Sequence, residues 1–76
     1  MPKTFSGKEL AKIVTKLGFA ETRTVGSHHQ FEHSDGRKLT IPIHGNEAMG
    51  PGLMNKIIKK GLQLEKDEFY KIIEKL

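Results

Sequence analysis

The sequence predicts an α+β fold in the order α-β-β-β-α, followed by an additional C-terminal helix. Two stretches with apolar residues at helical spacing, at about residues 6–18 and 51–61, flank the middle of the chain. Three short runs with alternating or β-branched residues lie between them, separated by Gly-Ser and Asp-Gly turns. Because such turns join neighbouring antiparallel strands, we expect a three-stranded antiparallel sheet with the helices on one face.

The first helix is predicted to begin after Ser6. Glu9 follows three positions later, the spacing of a capping box, in which each side chain accepts a free backbone N–H near the helix start. The residues of its apolar face are Leu10, Ala11, Ile13, Val14 and Leu17. Gly18 should end the helix, because glycine adopts the left-handed conformation at low cost. Residues 1–5 are predicted to form a short arm.

Three strands are predicted at Phe19–Val25, His28–His33 and Lys38–Ile43. In the third strand, apolar and polar residues alternate, which is typical of a strand with one buried face. Pro42 has no N–H to donate to a neighbouring strand. We therefore expect the third strand to lie at the edge of the sheet or to end there.

The second strand presents different residues to the two faces of the sheet, because successive side chains point in opposite directions. Phe31 is expected to face the core, and His29 and His33 then share its face. The opposite, open face carries His28, Gln30 and Glu32. One histidine is therefore predicted to stand on an open sheet face, directly after the Gly26-Ser27 turn.

Two helices are predicted after the sheet. Pro51 suits the first turn of the second helix, where a missing N–H costs nothing, and Gly61 should end it. Its lysines Lys56, Lys59 and Lys60 form its polar side. A third helix is expected from about Lys66 to the C-terminus, with an apolar face that favours packing on the rest of the fold.

Length and composition limit the class of protein. The 76 residues are expected to form one domain over residues 1–76, with its core at about 6–64. The formal net charge of +4 favours a polyanionic partner. The chain has no cysteine, and no stretch approaches the length of a membrane span, so we expect a cytoplasmic protein without membrane association.

Three local motifs resemble those of one known family. The first is Gly26-Ser27-His28-His29-Gln30-Phe31, followed by a Ser34-Asp35-Gly36-Arg37 turn. The second is the third strand, which runs to Pro42 and is followed by His44-Gly45. The third is Gly50-Pro51-Gly52-Leu53, which opens a helix that ends at Lys60-Gly61-Leu62. Together, and over about residues 6–64, this array resembles the HicA (YcfA-like) family of bacterial toxins.

The resemblance implies a fold similar to that of double-stranded-RNA-binding domains, with endoribonuclease activity on mRNA. It also implies that a HicB-type antitoxin neutralises the protein. The catalytic residue of the family is the first histidine of the turn-strand motif, which corresponds to His28. Many relatives carry a lysine and a threonine before the second helix, where this chain has Pro51 and Leu53.

The residues around His28 suit RNA cleavage by the substrate's own 2′-hydroxyl. Histidine titrates near neutral pH and can act as a general acid or base. Arg37 and Lys38, across the hairpin, are predicted to hold the phosphate by charge. Gln30, on the same face as His28, is expected to orient the substrate. Ser27 is expected to bind the substrate as well.

Two other interpretations remain open on the sequence. A domain of the same fold could bind RNA without cutting it, or act only through a protein partner. The four histidines could also suggest a zinc site, but adjacent strand histidines point to opposite faces and no cysteine is present. We therefore expect no metal site and no cofactor.

Overall fold

The computed structural model describes residues 5–76. Its helices and strands are α1 (Gly7–Lys16), β1 (Phe19–Val25), β2 (His28–His33), β3 (Lys38–Pro42), α2 (Pro51–Lys56), which continues into a π-helical turn (Ile57–Gly61), and α3 (Lys66–Glu74). The strands form one antiparallel sheet in the order β1-β2-β3. The predicted α+β class and element order are confirmed. Along residues 5–76, no helix is both long enough and apolar enough to cross a membrane.

The start and end of α1 follow the sequence closely. The Ser6 hydroxyl accepts the N–H of Glu9 at 3.1 Å, and the Glu9 carboxylate accepts the N–H of Ser6 at 3.0 Å. This is the predicted capping box, which satisfies two N–H groups that the helix leaves free. After the helix, Gly18 has a φ of +101°. The chain turns there into β1, as the sequence predicted.

The sheet has β2 at its centre and β3 at an edge, as Pro42 predicted. The strand ends at Pro42, one residue before the predicted end. Ile43 still donates its N–H to the carbonyl of Ser27 at 2.8 Å. The chain then leaves the sheet into a loop, where Gly45 has a φ of +58°.

One face of the sheet is covered by the helices and the other is open. Phe31 is 2% exposed and faces the core, in register with Leu39 on β3. The helices contribute the fully buried Leu10, Val14, Met54, Ile58 and Phe69 to the same core. His29 lies opposite the buried Ile41. The predicted assignment of the two faces of β2 is therefore confirmed.

The second helix is less regular than the sequence suggested. Only Pro51–Lys56 is α-helical, and the N–H of Leu62 reaches back five residues to the carbonyl of Ile57 at 2.9 Å. A π-type turn of this kind widens the helix locally. It lies against β3, where a Cβ added to Gly61 would be 2.6 Å from the Cβ of Leu39. Glycine at this position therefore allows the turn to approach the edge strand closely.

The segment before α1 and the C-terminal helix pack on each other. Phe69 of α3 is fully buried, and its ring meets that of Phe5 edge-on at a centroid distance of 6.5 Å. Phe5 is 5% exposed and accepts the N–H of Met49 at its carbonyl. Phe5 is therefore part of the core rather than of an arm, which corrects the prediction at that residue. The remaining residues of the predicted arm, 1–4, lie outside the described part of the chain.

Candidate active site

His28 opens β2 on the uncovered face of the sheet. Gly26, with a φ of +60°, and Ser27 form the turn that delivers it, and its register partners are Val25 and Pro42. The residue is exposed. Within residues 5–76 its side chain makes no hydrogen bond or ion pair. Both ring nitrogens are therefore available to a ligand.

A groove of about 430 Å³ lies beside His28, between β3 and the helix that follows it. It is lined by His28, Lys38, Leu39, Thr40, Pro42, Leu53, Lys56, Ile57, Lys60 and Gly61. The volume is in the range of small-molecule sites. Its lining combines one histidine and three lysines with an apolar floor, which suits an anionic ligand with a flat or apolar part.

The three lysines come from two different elements. Lys56 and Lys60 are four residues apart and so lie on the same side of the second helix. Lys38 starts β3 and lies 3.5 Å from the carboxylate of Glu32, with 73% of its side chain exposed. Such an exposed pair is weak, so Lys38 can exchange this partner for a ligand at little cost.

Gln30 and Ser27 lie near His28 but in different settings. Gln30 is exposed on the same face, opposite Thr40, and lines a shallow depression that adjoins the groove through Lys38 and Thr40. Ser27 holds the turn, because its carbonyl accepts the N–H of Ile43, and its hydroxyl lies 3.5 Å from Nε2 of His44. Gln30 is thus placed beside the groove, whereas Ser27 anchors the turn that positions His28.

Arg37 has its guanidinium bonded within the protein. Its Nε donates to the Asp35 carboxylate at 2.8 Å, and its Nη1 donates to the carbonyl of Leu62 at 2.8 Å. The guanidinium also lies over the ring of Phe19, 5.1 Å from its centroid. The structure does not bring Arg37 into the groove with His28. Its predicted role in holding a phosphate remains a prediction, and these contacts hold the guanidinium at the hairpin turn.

Two of the other histidines have acidic partners. Nδ1 of His29 lies 3.0 Å from the Glu21 carboxylate and 3.3 Å from the Thr24 hydroxyl. Hydrogen bonds, first from Thr24 and then from His29, hold the pKa of Glu21 below its ordinary value. Nδ1 of His33 lies 3.2 Å from the Asp35 carboxylate. Both rings are thus engaged in contacts that organise the β1–β2 hairpin and the turn after it.

The histidines do not converge on one another. In the described range, 5–76, no three His, Asp or Glu side chains are close enough together to hold a metal ion. His28 lies on the open face of the sheet and His29 on the face toward the helices.

Sequence reasoning missed the contribution of the second helix to this site. Lys56 and Lys60 were predicted only as its polar side. Their four-residue spacing indicated one helical face, but not that this face would meet the edge strand next to His28. Leu53 is 37% exposed, which fits its place at the groove rather than in the core.

A family model described as HicA toxin of bacterial toxin-antitoxin systems matches residues 7–62, which is most of the chain. No curated protein matches it significantly. The matched segment contains α1, the whole sheet, α2 and the π-helical turn, and hence every residue that lines the groove. The chain therefore belongs to the HicA toxin family of bacterial toxin–antitoxin systems.

Proposed function

We propose that this toxin is an endoribonuclease that cleaves mRNA without a metal ion, with His28 as its general acid or base. The observation that carries the proposal is the groove that His28 shares with Lys38, Lys56 and Lys60. A histidine with both ring nitrogens open, next to several cations, suits proton transfer at a phosphodiester.

The reaction that fits these groups is attack by the substrate's own 2′-hydroxyl. The hydroxyl loses its proton and its oxygen bonds to the adjacent phosphorus, while the bond to the 5′-oxygen of the next nucleotide breaks. That oxygen takes up a proton, leaving a 2′,3′-cyclic phosphate and a 5′-hydroxyl end. His28 serves one of the two proton transfers, and such a group contributes ~10²–10⁴-fold.

Charge in the groove would stabilise the phosphate as negative charge builds up on it. Lys38, Lys56 and Lys60 are the groove's cations, and the whole protein carries a formal net charge of +4. Exposed lysines act as mobile point charges, so binding should weaken steeply as salt rises. In this scheme Gln30 orients the nucleotide next to the cleaved bond, and Ser27 holds the turn that presents His28.

Membership of a toxin–antitoxin family implies an antitoxin partner. We infer that this partner is of the HicB type and inhibits the toxin by covering the groove. A protein surface with acidic groups would be attracted by the same lysines that attract RNA. Covering His28 would then be enough to block the substrate.

The test is cleavage of a defined single-stranded RNA by the wild-type protein and by His28→Ala, purified in parallel, with chelator present. The proposal requires cleavage by the wild type only, with products that end in a 2′,3′-cyclic phosphate. A contaminating ribonuclease would cut in both samples, so cleavage by the wild type only cannot come from a contaminant.

A different outcome would favour the binding-module alternative. If neither protein cuts RNA and both bind it with salt-dependent affinity, the groove is an RNA-binding site without catalysis. Equal cleavage by both proteins would contradict the role proposed for His28. Cleavage that chelator abolishes would contradict a metal-free reaction.

A further inference from the structure

The outer edge of β3 presents main-chain groups that the rest of the described chain, residues 5–76, does not bond. Two bonds set the pattern: His33 donates its N–H to the carbonyl of Arg37 at 2.9 Å, and Ile43 donates to the carbonyl of Ser27 at 2.8 Å. In an antiparallel pair, bonded positions recur at every second residue. Residues 39 and 41 therefore bond to β2, whereas residues 38, 40 and 42 direct their N–H and C=O groups away from it.

An independent contact supports this assignment at the centre of the strand. Gln30 is the register partner of Thr40, and its carbonyl accepts the Thr22 hydroxyl of β1 at 3.4 Å. That carbonyl is thus turned toward β1 and away from β3. Within the described chain, neither main-chain group of Thr40 has a hydrogen-bond partner outside the sheet. Thr40 therefore presents a free donor and a free acceptor to the outside.

The open edge is short, because both of its ends are closed. Pro42 has no N–H, and α1 covers its carbonyl so closely that a Cβ added to Gly7 would lie 2.2 Å from the oxygen. At the other end the chain enters the hairpin turn at Arg37, whose carbonyl is bonded to β2. The accessible edge is therefore Lys38–Thr40, enough for a few main-chain bonds to a partner strand.

The positive charges next to this edge determine which partner strands can bind there. Lys38 lies on the edge itself, and Lys56 and Lys60 face it across the groove. Lysine on an edge strand discourages pairing with neutral or basic strands, which protects the protein from aggregation. The same charges favour an acidic strand, and the exposed Leu53 offers it an apolar contact.

We propose that the edge of β3 at Lys38–Thr40 binds an extended acidic segment of a protein partner, which adds to the sheet as a fourth strand. Strand addition draws affinity from main-chain bonds and specificity from alternate side chains. RNA lacks donors and acceptors that alternate at the spacing of a strand, so these groups fit a protein better than a nucleic acid. Because Thr40 and His28 line the same groove, the added strand would also close it.

The probe is an eight-residue peptide that alternates glutamate and valine, with blocked ends and a fluorescent label. Its matched control has the same composition, with the four glutamates in one block. We expect the alternating peptide to bind about tenfold more tightly and to slow hydrogen exchange at the Thr40 amide. This assay does not use cleavage, so its failure and a failure of the proposed nuclease function are distinguishable.

Two N-methylated versions of the alternating peptide test strand geometry directly. Methyl groups on every second amide block one edge of the peptide, and the complementary set blocks the other edge. Strand addition requires that one version loses binding and the other retains it. Equal binding of both versions, or of the alternating and block peptides, would overturn the proposal.

Variants of the protein provide a second line of evidence. Thr40→Pro removes the outward N–H, and Lys56→Glu reverses a groove charge without touching the strand. Each should weaken peptide binding about tenfold or more, whereas Lys71→Glu on α3 should not. If Lys56→Glu binds as the wild type does, or if only an RNA oligonucleotide slows exchange at Thr40, the edge does not serve an acidic strand.

Discussion

His28 and His33 lie at the two ends of the same strand, and their surroundings are opposite in character. Nδ1 of His33 accepts the N–H of Asp35 at 3.1 Å, and its ring meets that of Phe19 edge-on at a centroid distance of 5.1 Å. Its Nε2 would be 2.8 Å from a Cβ added to Gly18. His28, in contrast, has no bonded partner in residues 5–76 and opens onto the groove.

The charged groups along the sheet differ in the same way, because some are bonded within the fold and others are open. At the His33 end, Asp35 and Arg37 satisfy each other and tie the hairpin to the carbonyl of Leu62. In the groove that His28 lines, Lys56 and Lys60 make no ion pair with any described residue. A group whose bonding capacity is already used stabilises the fold, whereas a group left open is available to a substrate.

Replacing each histidine by glutamine, which can still form hydrogen bonds but does not titrate, tests this difference most directly. His28→Gln should reduce the rate of RNA cleavage by ~10²-fold or more. Its free energy of unfolding should stay within about 0.5 kcal/mol of the wild type. His33→Gln should keep the cleavage rate within a few-fold and lose about 1 kcal/mol of stability.

Cleavage rates under single-turnover conditions and urea unfolding curves measure both effects. Comparable loss of cleavage in the two variants would remove the functional distinction between the two ends of β2. A large loss of stability in His28→Gln would indicate a structural role that the contacts do not show.

Arg37 and Lys38 are adjacent cations whose side chains differ in the same way. Arg37→Ala should destabilise the protein by about 1–3 kcal/mol, because it removes the bond to Leu62 and leaves the Asp35 carboxylate without its partner. Lys38→Ala should change stability by less than about 0.5 kcal/mol, since its pair with Glu32 is exposed. Urea unfolding curves measure the loss of stability in each of the two variants. RNA affinity at low salt should show the reverse order, and equal effects in either assay would contradict it.

Replacing the groove lysines should have a smaller effect, on how strongly RNA affinity depends on salt concentration. Lys56→Ala and Lys60→Ala should each reduce the slope of log affinity for single-stranded RNA against log salt by about 0.7. Lys71→Ala, on α3 and outside the groove, is the matched control and should leave the slope unchanged. Fluorescence anisotropy with a labelled RNA over a range of salt concentrations measures the slope. If all three variants behave alike, binding depends on total charge and not on the groove.

The sequence was sufficient wherever a feature depends on neighbouring residues. The capping box of Ser6 and Glu9, the turn at Gly26-Ser27 and the edge position of β3 each follow from local chemistry. Strict alternation along β2 was enough to place His28 outside and Phe31 inside. Each of these depends on residues a few positions apart, and that is the range over which backbone geometry is fixed by sequence.

Contacts between residues that are far apart in the sequence could not be predicted from local patterns. The bond that Arg37 donates to the carbonyl of Leu62 joins residues 25 positions apart along the chain. Phe5 was assigned to an arm, yet it packs on Phe69. Lys56 and Lys60 line the same groove as His28 because the π-helical turn lies against β3. Packing decides all three, and periodicity does not specify which surfaces meet.

The smallest predicted effect is the response of stability to acid that comes from Asp35, at the His33 end. The main-chain N–H of Arg37, helped by its guanidinium, holds the pKa of Asp35 below its ordinary value. A carboxyl whose pKa is lowered by folding stabilises the protein above its unfolded value of about 3.9, and this contribution is lost as pH falls through the folded pKa. Stability should therefore decline below about pH 4.

Asp35→Asn isolates this contribution. The variant should be less stable than the wild type at neutral pH, and the difference between them should shrink as the pH falls below about 4. Urea unfolding at a series of pH values measures the difference, and an NMR titration of the Asp35 carboxyl gives its pKa directly. Two parallel stability curves would mean that Asp35 does not titrate differently in the folded chain.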